Sequence, residues 1–345
     1  MNRILFIGGP GNISRHVIRE MISSSREVAV FTLPEVVRQQ RDSNILYYPG
    51  DRNDTESLQK AISDFRPDIL ADFVCFTPRQ AEGLYRIIRG KISQLLFVST
   101  CDVYGYPLSH LPMDEDDPPG RPVGEYALNK KRCEDFYFEK EREEQLPLTI
   151  VRPSYSFGAN FLLSFLAMDA TGVLDRLKAG LPVFVPGDGT TLMQGGPAVN
   201  TGRMIAEILK HPDISIGKAY TLGHRTAMTH DEYITLLAEA LDTKPVIRHI
   251  PSDFLYRFFR EDTHNSMLHV LFRFNVAFSL KAFRHDFPDF EWVSSPGEAV
   301  RKYLDQHPVT GGTGDVLEDK VITLWDRMIE ETDKDTTMIN ETNKE

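Results

Sequence analysis

A chain of 345 residues is long enough to bury a large core, as one domain or as two closely joined ones. Its 41% hydrophobic and 26% charged residues match a soluble globular protein, and its net charge of −11 disfavours nonspecific binding to nucleic acid or an anionic membrane. Three scattered cysteines, Cys75, Cys101 and Cys133, form neither a disulfide framework nor a zinc spacing, so no metal site is expected and a reduced, cytoplasmic setting fits. The N-terminus reads as lacking a signal peptide, and the apolar run from Ile4 to Ile7 is far too short to span a membrane.

Taken in order, Arg3 to Ile7 predicts a strand, which runs through Gly8-Gly9-Pro10-Gly11-Asn12-Ile13 into a helix over Ser14 to Ser23. Glycines there let the backbone turn tightly and approach a pyrophosphate resting on the helix N-terminus. Ser14 replaces the small Gly or Ala that ends the usual dinucleotide spacing; it packs helix on strand or caps the helix. Strands follow at Glu27 to Thr32 and Asn44 to Tyr48, then a helix at Thr55 to Ser63 and a strand at Asp68 to Cys75. A helix at Gln80 to Arg89, a strand at Gln94 to Ser99, a long amphipathic helix at Tyr126 to Gln145 and a strand at Leu148 to Val151 complete this half. Such alternation predicts an α/β protein with a Rossmann-type doubly wound parallel sheet, its ligands at the strand carboxyl ends.

From Phe157 the rhythm changes, with helices at Gly202 to Lys210 and Thr229 to Leu241 and isolated strands at Pro182 to Val185, Ala219 to Leu222 and Val246 to Ile250. We read residues 1–156 as a dinucleotide-binding domain to which some later segments return. Residues 157–329 then form a smaller α/β lobe that contacts substrate, and 330–345 a frayed polar tail.

No acid ends the second strand to grip a ribose 2′-hydroxyl, which leaves NAD and NADP both open. Asp51, after the third strand, is placed to meet an adenine amino group or to cap a helix; for Asp54 we read the cap. Tyr126 and Lys130 share a helix face at i,i+4, where a nearby ammonium lowers a phenol towards useful acidity. Thr100, at a strand end, offers a hydroxyl to orient a substrate oxygen. Asp102 is either a further acid/base or a loop acid facing solvent, and Cys101 reads as a small packing residue.

These motifs resemble the extended short-chain dehydrogenase/reductase family, the NAD-dependent epimerase/dehydratase group. The matching features are Gly8-x-x-Gly11-x-x-Ser14, Gly50-Asp51, Ser99-Thr100-x-x-Val103-Tyr104-Gly105, Tyr126-x-x-x-Lys130 and Val151-Arg152-Pro153-Ser154. Pro186-Gly187-Asp188-Gly189-Thr190 and Ile250-Pro251-Ser252-Asp253 look similar too. The resemblance implies Tyr126 as catalytic acid or base, with Lys130, Thr100 and Asp102 beside it. It implies NAD, with NADP not excluded, held by Gly8, Gly11, Asn12, Ile13, Asp51, Arg52, Phe73, Val74, Cys75, Ser99, Tyr126, Lys130, Pro153 and Ser154. The implied reaction oxidises a substrate hydroxyl to a transient ketone and reduces it again, on a sugar or sugar-nucleotide. A one-way ketoreductase and a non-catalytic or RNA-binding relative are the rivals. A homodimer through the helix beginning near Tyr126 is also implied, and neither nucleic acid nor membrane is an expected partner.

Two departures bear on substrate. Members of this group often carry an arginine after the Gly-Asp-Gly turn to clamp a diphosphate; here the stretch reads Leu192-Met193-Gln194-Gly195-Gly196-Pro197-Ala198. Gly195-Gly196-Pro197 is then an unusual substrate loop or an ordinary turn. Dehydratases of the group place two acids after the threonine, where this chain has Cys101 and Asp102.

Overall fold

The structure, a computed structural model, describes residues 3–39, 42–118, 120–167, 169–263, 267–312 and 316–342. The chain divides into two compact units, the first made of residues 1–160, 194–227 and 276–299, the second of 161–193, 228–275 and 300–345. Segments from well beyond residue 156 therefore belong to the first unit.

That unit is built on a seven-stranded parallel sheet. Its strands are β1 (Arg3–Ile7), β2 (Glu27–Thr32), β3 (Ile45–Pro49), β4 (Ile69–Asp72), β5 (Gln94–Val98), β6 (Leu148–Pro153) and a seventh, Lys218–Leu222. They run in the order seventh, β6, β5, β4, β1, β2, β3. The order reverses between β1 and β4, where Ile7 is paired with Asp72 on one side and with Phe31 on the other. A crevice opens at the carboxyl ends there, which is where such sheets bind ligands. β1, β4 and β5 read as continuous apolar runs because both faces of the sheet are covered.

The helices α1 (Ser14–Ser23), α2 (Pro34–Gln39), α3 (Thr55–Phe65), α4 (Pro78–Ile88) and α5 (Glu125–Glu144) supply that cover. Of these the sequence reading missed α2, a single short turn of helix with no buried residue and so no apolar stripe to reveal it. Asp54 caps α3 by accepting from the backbone N–H groups of Glu56 and Ser57, as read. Thr77 and Gln80 form a reciprocal capping box on α4. Helix Ala198–Lys210 lies against α1 so closely that a Cβ at Gly202 would stand 2.5 Å from His16 Cβ.

β4 ends at Asp72, three residues short of the expected Cys75, so Phe73, Val74 and Cys75 lie in the loop beyond the sheet. Strand 218–222, expected in the substrate lobe, instead extends the main sheet by pairing with β6.

In the second unit, strand Pro182–Pro186 pairs in parallel with Val246–Ile250, and Leu192–Met193 pairs antiparallel with Met228–Thr229. Helix His230–Ala240 starts with a capping box from Thr229 and Glu232. Residues 330–342, read as a frayed tail, continue the helix Val316–Thr342; its first half docks by its Glu318 carboxylate, which accepts the Phe184 N–H at 2.7 Å. Residues 343–345 lie outside the described residues. No helix among the described residues is long and apolar enough to cross a membrane.

Candidate functional site

The glycine loop forms a cradle that side chains would fill. Gly8 (φ +88°) and Gly9 (φ +110°) both occupy the left-handed region, and a Cβ on Gly8 would meet Val74 Cγ1 at 2.5 Å. The Ser14 hydroxyl accepts the Gly11 N–H at 2.8 Å and so ties the loop to α1, rather than capping that helix. Ile13 is the N-cap residue, with no side-chain cap. Asn12 turns across the loop: its amide donates to Ser156 O at 2.6 Å and accepts from Asn160 N at 3.2 Å.

Beside the cradle lies a cavity of about 310 Å³ lined by Gly8, Gly9, Phe31, Asp51, Arg52 and Val74 among others. An apolar slot next to glycine N–H groups fits an adenosine and its pyrophosphate, so the residues present suit the dinucleotide implied by the sequence. Two of the expected ligands are partly committed elsewhere. Asp51 Oδ1 accepts from Asn53 N at 2.7 Å in a local turn. Arg52 forms a buried pair with Asp72 at 2.9 Å and also donates to Gln80 O at 3.0 Å. Phe73 donates its N–H to Ile7 O, and Val74 packs on Gly8, so the loop after β4 walls the cradle.

Tyr126, Lys130 and Glu134 follow one another at four-residue spacing on one face of α5. Glu134 is buried and takes both arms of Arg152, Nε at 3.0 Å and Nη2 at 2.8 Å, while Nη1 donates to the Tyr104 hydroxyl at 3.0 Å. This pins the helix face to β6. Lys130, 1% exposed, places its ammonium on the carbonyl oxygens of Cys75 (2.8 Å) and Val98 (2.5 Å), with Phe97 beneath it.

Tyr126 is 49% exposed as a residue, but its phenol end is buried beside the Thr100 and Asp102 side chains. Burial of that end, then the neighbouring Asp102 charge, push the phenol above its ordinary value. The lowering expected from the Lys130 ammonium together with an oxidised nicotinamide does not arise from Lys130 alone. The difference arises because Lys130 lies on the backbone carbonyls, while the charge that perturbs Tyr126 is the carboxylate.

Asp102 does not face solvent. Its carboxylate accepts from Thr100 Oγ1 at 3.1 Å and from the Tyr106 hydroxyl at 3.1 Å, and burial raises its pKa from the ordinary value. Cys101 is buried, and desolvation holds its thiol far above the ordinary range, as suits a packing residue. Tyr106 belongs to this polar cluster through its bond to Asp102, with the buried Tyr155 beside it, and the sequence reading singled out neither. Tyr155's place two residues after Pro153, at a strand carboxyl end, was the available signal.

The remaining expected residues lie at the ends of β5 and β6. Ser99 is buried with its N–H on Val151 O, and Pro153 closes β6. Ser154 donates to Gln194 O at 2.9 Å. Gln194 spends both ends of its amide internally: Nε2 donates to His224 O at 2.7 Å and to Phe278 O at 3.1 Å, and Oε1 accepts from Phe278 N. Gly196 donates to Tyr155 O at 2.8 Å, and Gly196-Pro197 forms a short strand paired with Ser156-Phe157. No group of residues suited to a metal ion occurs among the described ones.

Comparison with known proteins places this arrangement. Residues 4–223 match the model of the NAD dependent epimerase/dehydratase family. The chain is 24% identical over 168 residues to a UDP-glucose 4-epimerase of Lactobacillus helveticus, covering 44% of this chain and 50% of that one. It is 28% identical over 210 residues to the chloroplast stem-loop binding protein of 41 kDa b of Arabidopsis thaliana, covering 56% of this chain and 51% of that protein. These matches span about half the length of either relative. Among solved structures, a dTDP-glucose 4,6-dehydratase of Bacillus anthracis in complex with NAD superposes with a TM-score of 0.71 at 17% identity, covering 90% of this chain and 99% of that one. With a family match over most of its length and the same fold as these enzymes, the chain belongs to the NAD-dependent epimerase/dehydratase family.

Proposed function

We propose that this protein oxidises a hydroxyl of a sugar-class substrate to a ketone and then reduces it again, so that cofactor is not consumed. The observation that carries this reading is Tyr126 and Lys130 on one helix face anchored by Glu134 and Arg152, with the buried phenol end of Tyr126 beside the Thr100 and Asp102 side chains. Bound NAD, held at Gly8, Gly11 and the cavity beside them, would supply the hydride chemistry. Tyr126 takes the substrate hydroxyl proton and later returns it. Thr100 hydrogen-bonds the same oxygen and fixes its distance from Tyr126. Lys130, a buried cation at the ends of β4 and β5, offers its remaining N–H to the cofactor's ribose. The absence of an arginine from Leu192 to Ala198 and the internal use of Gln194 support a sugar that lacks a nucleotide diphosphate.

The test begins with the denatured protein. Release of about one NAD per chain, followed by product formation from a sugar without net change at 340 nm, supports the reading. Net NADH or NADPH turnover would replace it with a one-way reductase. The panel pairs UDP-glucose with unactivated sugars, and preference for the nucleotide would sink the substrate proposal. Similarity to a stem-loop binding protein raises a second reading, hairpin RNA as ligand. Saturable binding of a labelled hairpin, with no sugar turned over, would favour it. A homodimer through α5 belongs to the proposal and is checked by light scattering.

A further inference from the structure

A second cavity, of about 660 Å³, is lined by residues of α3 and α4 and shares Arg52, Asn53 and Gln80 with the cavity beside the glycine cradle. Its charge is one-sided. Arg52, Arg79, Arg86 and Lys91 line it, and among the described residues no carboxylate does. In a chain with a net charge of −11 this is a local reversal of sign. Thr55 and Gln59 add neutral donors from α3.

The four cations are largely unspent. Arg79 makes no ion pair among the described residues, although it stands in the first turn of α4, which holds no acid and where the helix field disfavours a cation. Arg86 reaches only Glu82, at 3.5 Å and with both side chains exposed, a pair of little worth. The Lys91 ammonium donates to Ile87 O at 2.8 Å and keeps two further protons to give. Arg52, nine-tenths buried, spends Nη2 on Asp72 and on Gln80 O, but its Nε is buried with no partner. A buried donor left unpaired marks a place for an acceptor.

Spacing sets the size of the ligand. Arg79 and Arg86 are two turns apart on α4, a rise of roughly 10 Å, too far for one phosphate to meet both closely. Gly83 lies between them, and a Cβ there would have only Thr55 Oγ1 within reach, at 4.0 Å, so the groove is open at its middle. No aromatic ring lines it, and nothing there stacks on a base. We propose that this groove binds a small oligophosphate anion, its phosphates on Arg79 and Arg86, at a site apart from the dinucleotide. Neither Tyr126 nor a sugar takes part, so a chain that turns over no sugar would still bind the anion.

Calorimetric titration of tripolyphosphate into the full chain saturated with NAD, which keeps the glycine cradle filled, reads the site directly. Stoichiometric, saturable binding that weakens as salt rises is expected. Arg79→Gln and Arg86→Gln should each weaken it about tenfold, the worth of a hydrogen bond to a charged group. Gly83→Glu sets a carboxylate in the open middle of the groove and should abolish binding. Arg19→Gln, which removes the same charge from α1, should leave it unchanged. No binding, or binding that survives both arginine variants of α4, overturns the proposal. Binding seen only without NAD would place the anion in the glycine cradle and overturns it as well. A hairpin RNA held through Arg79 and Arg86 where tripolyphosphate fails would make the ligand a nucleic-acid backbone, and the small anion would be lost.

Discussion

Glu134 and Arg152 meet as a two-pronged pair, 3.0 and 2.8 Å, with the Glu134 side chain 1% and the Arg152 side chain 10% exposed. Burial costs each ion its water, so the pair adds little net stability but punishes the loss of one partner. Its place in the molecule is what gives it meaning. Glu134 is four residues beyond Lys130 and eight beyond Tyr126, and Arg152 belongs to the strand next to the one that leads to Thr100. The pair therefore locks the register between the helix carrying two site residues and the sheet edge carrying the third.

Removing one member should be costly. Arg152→Met leaves a buried carboxylate alone and is expected to destabilise the first unit by roughly 3–5 kcal/mol. The double variant Glu134→Leu/Arg152→Met should recover much of that loss. Urea unfolding of the three proteins reads both numbers, and a single variant as stable as the parent would show that the pair is dispensable.

Tyr126→Phe keeps the ring and deletes the hydroxyl proposed to move the proton. We expect turnover to fall by about 10²- to 10⁴-fold with NAD content unchanged. Activity and released nucleotide, measured on the same preparation, separate these effects. Undiminished turnover would remove Tyr126 from the chemistry.

The glycines of the loop should not respond alike. Gly8→Ala places a methyl 2.5 Å from Val74 Cγ1 at a φ of +88°, costing on the order of 1–3 kcal/mol in strain and closing the cradle. Gly11→Ala meets Ser14 Oγ only at an ordinary 3.6 Å. Thermal melting without added nucleotide should fall for the first variant and hardly move for the second. NAD titration should show the matching loss at Gly8.

His230 predicts an acid limb in stability. The ring is fully buried between Phe165 and Phe272 with neither nitrogen hydrogen-bonded, and desolvation lowers its pKa from about 6.5 to about 4. The folded state binds its proton less readily than the unfolded one. Its contribution is thus complete above pH 6.5 and is lost as pH falls towards 4, by as much as roughly 3 kcal/mol. His230→Phe should flatten the stability profile across that window. An unchanged profile would mean that the imidazole is not desolvated as described.

Much of this architecture was legible in the residues themselves. Apolar runs of four or five residues alternating with amphipathic helices announced the parallel sheet, because covered strands and half-buried helices have different hydrophobic periods. The glycine loop and the Tyr126–Lys130 spacing could be read for the same reason: backbone freedom and helical repeat are local properties. Asp54 as a helix cap was equally local.

Tertiary structure alone decided the rest, since these were questions of which distant groups meet. Nothing near Asp102 in sequence says whether its carboxylate faces water or the Thr100 and Tyr106 hydroxyls. That follows from the fold of the turn after β5 and from its burial. Arg52 belongs to Asp72, twenty residues on, and Gln194 belongs to Phe278, because separate segments converge on one sheet end. The strand Lys218–Leu222 joined the main sheet for want of any local mark, its partner β6 lying far back along the chain. Local sequence set the backbone elements and their exposed faces; long-range packing chose the partners of each polar group, and with them the electrostatics of the site.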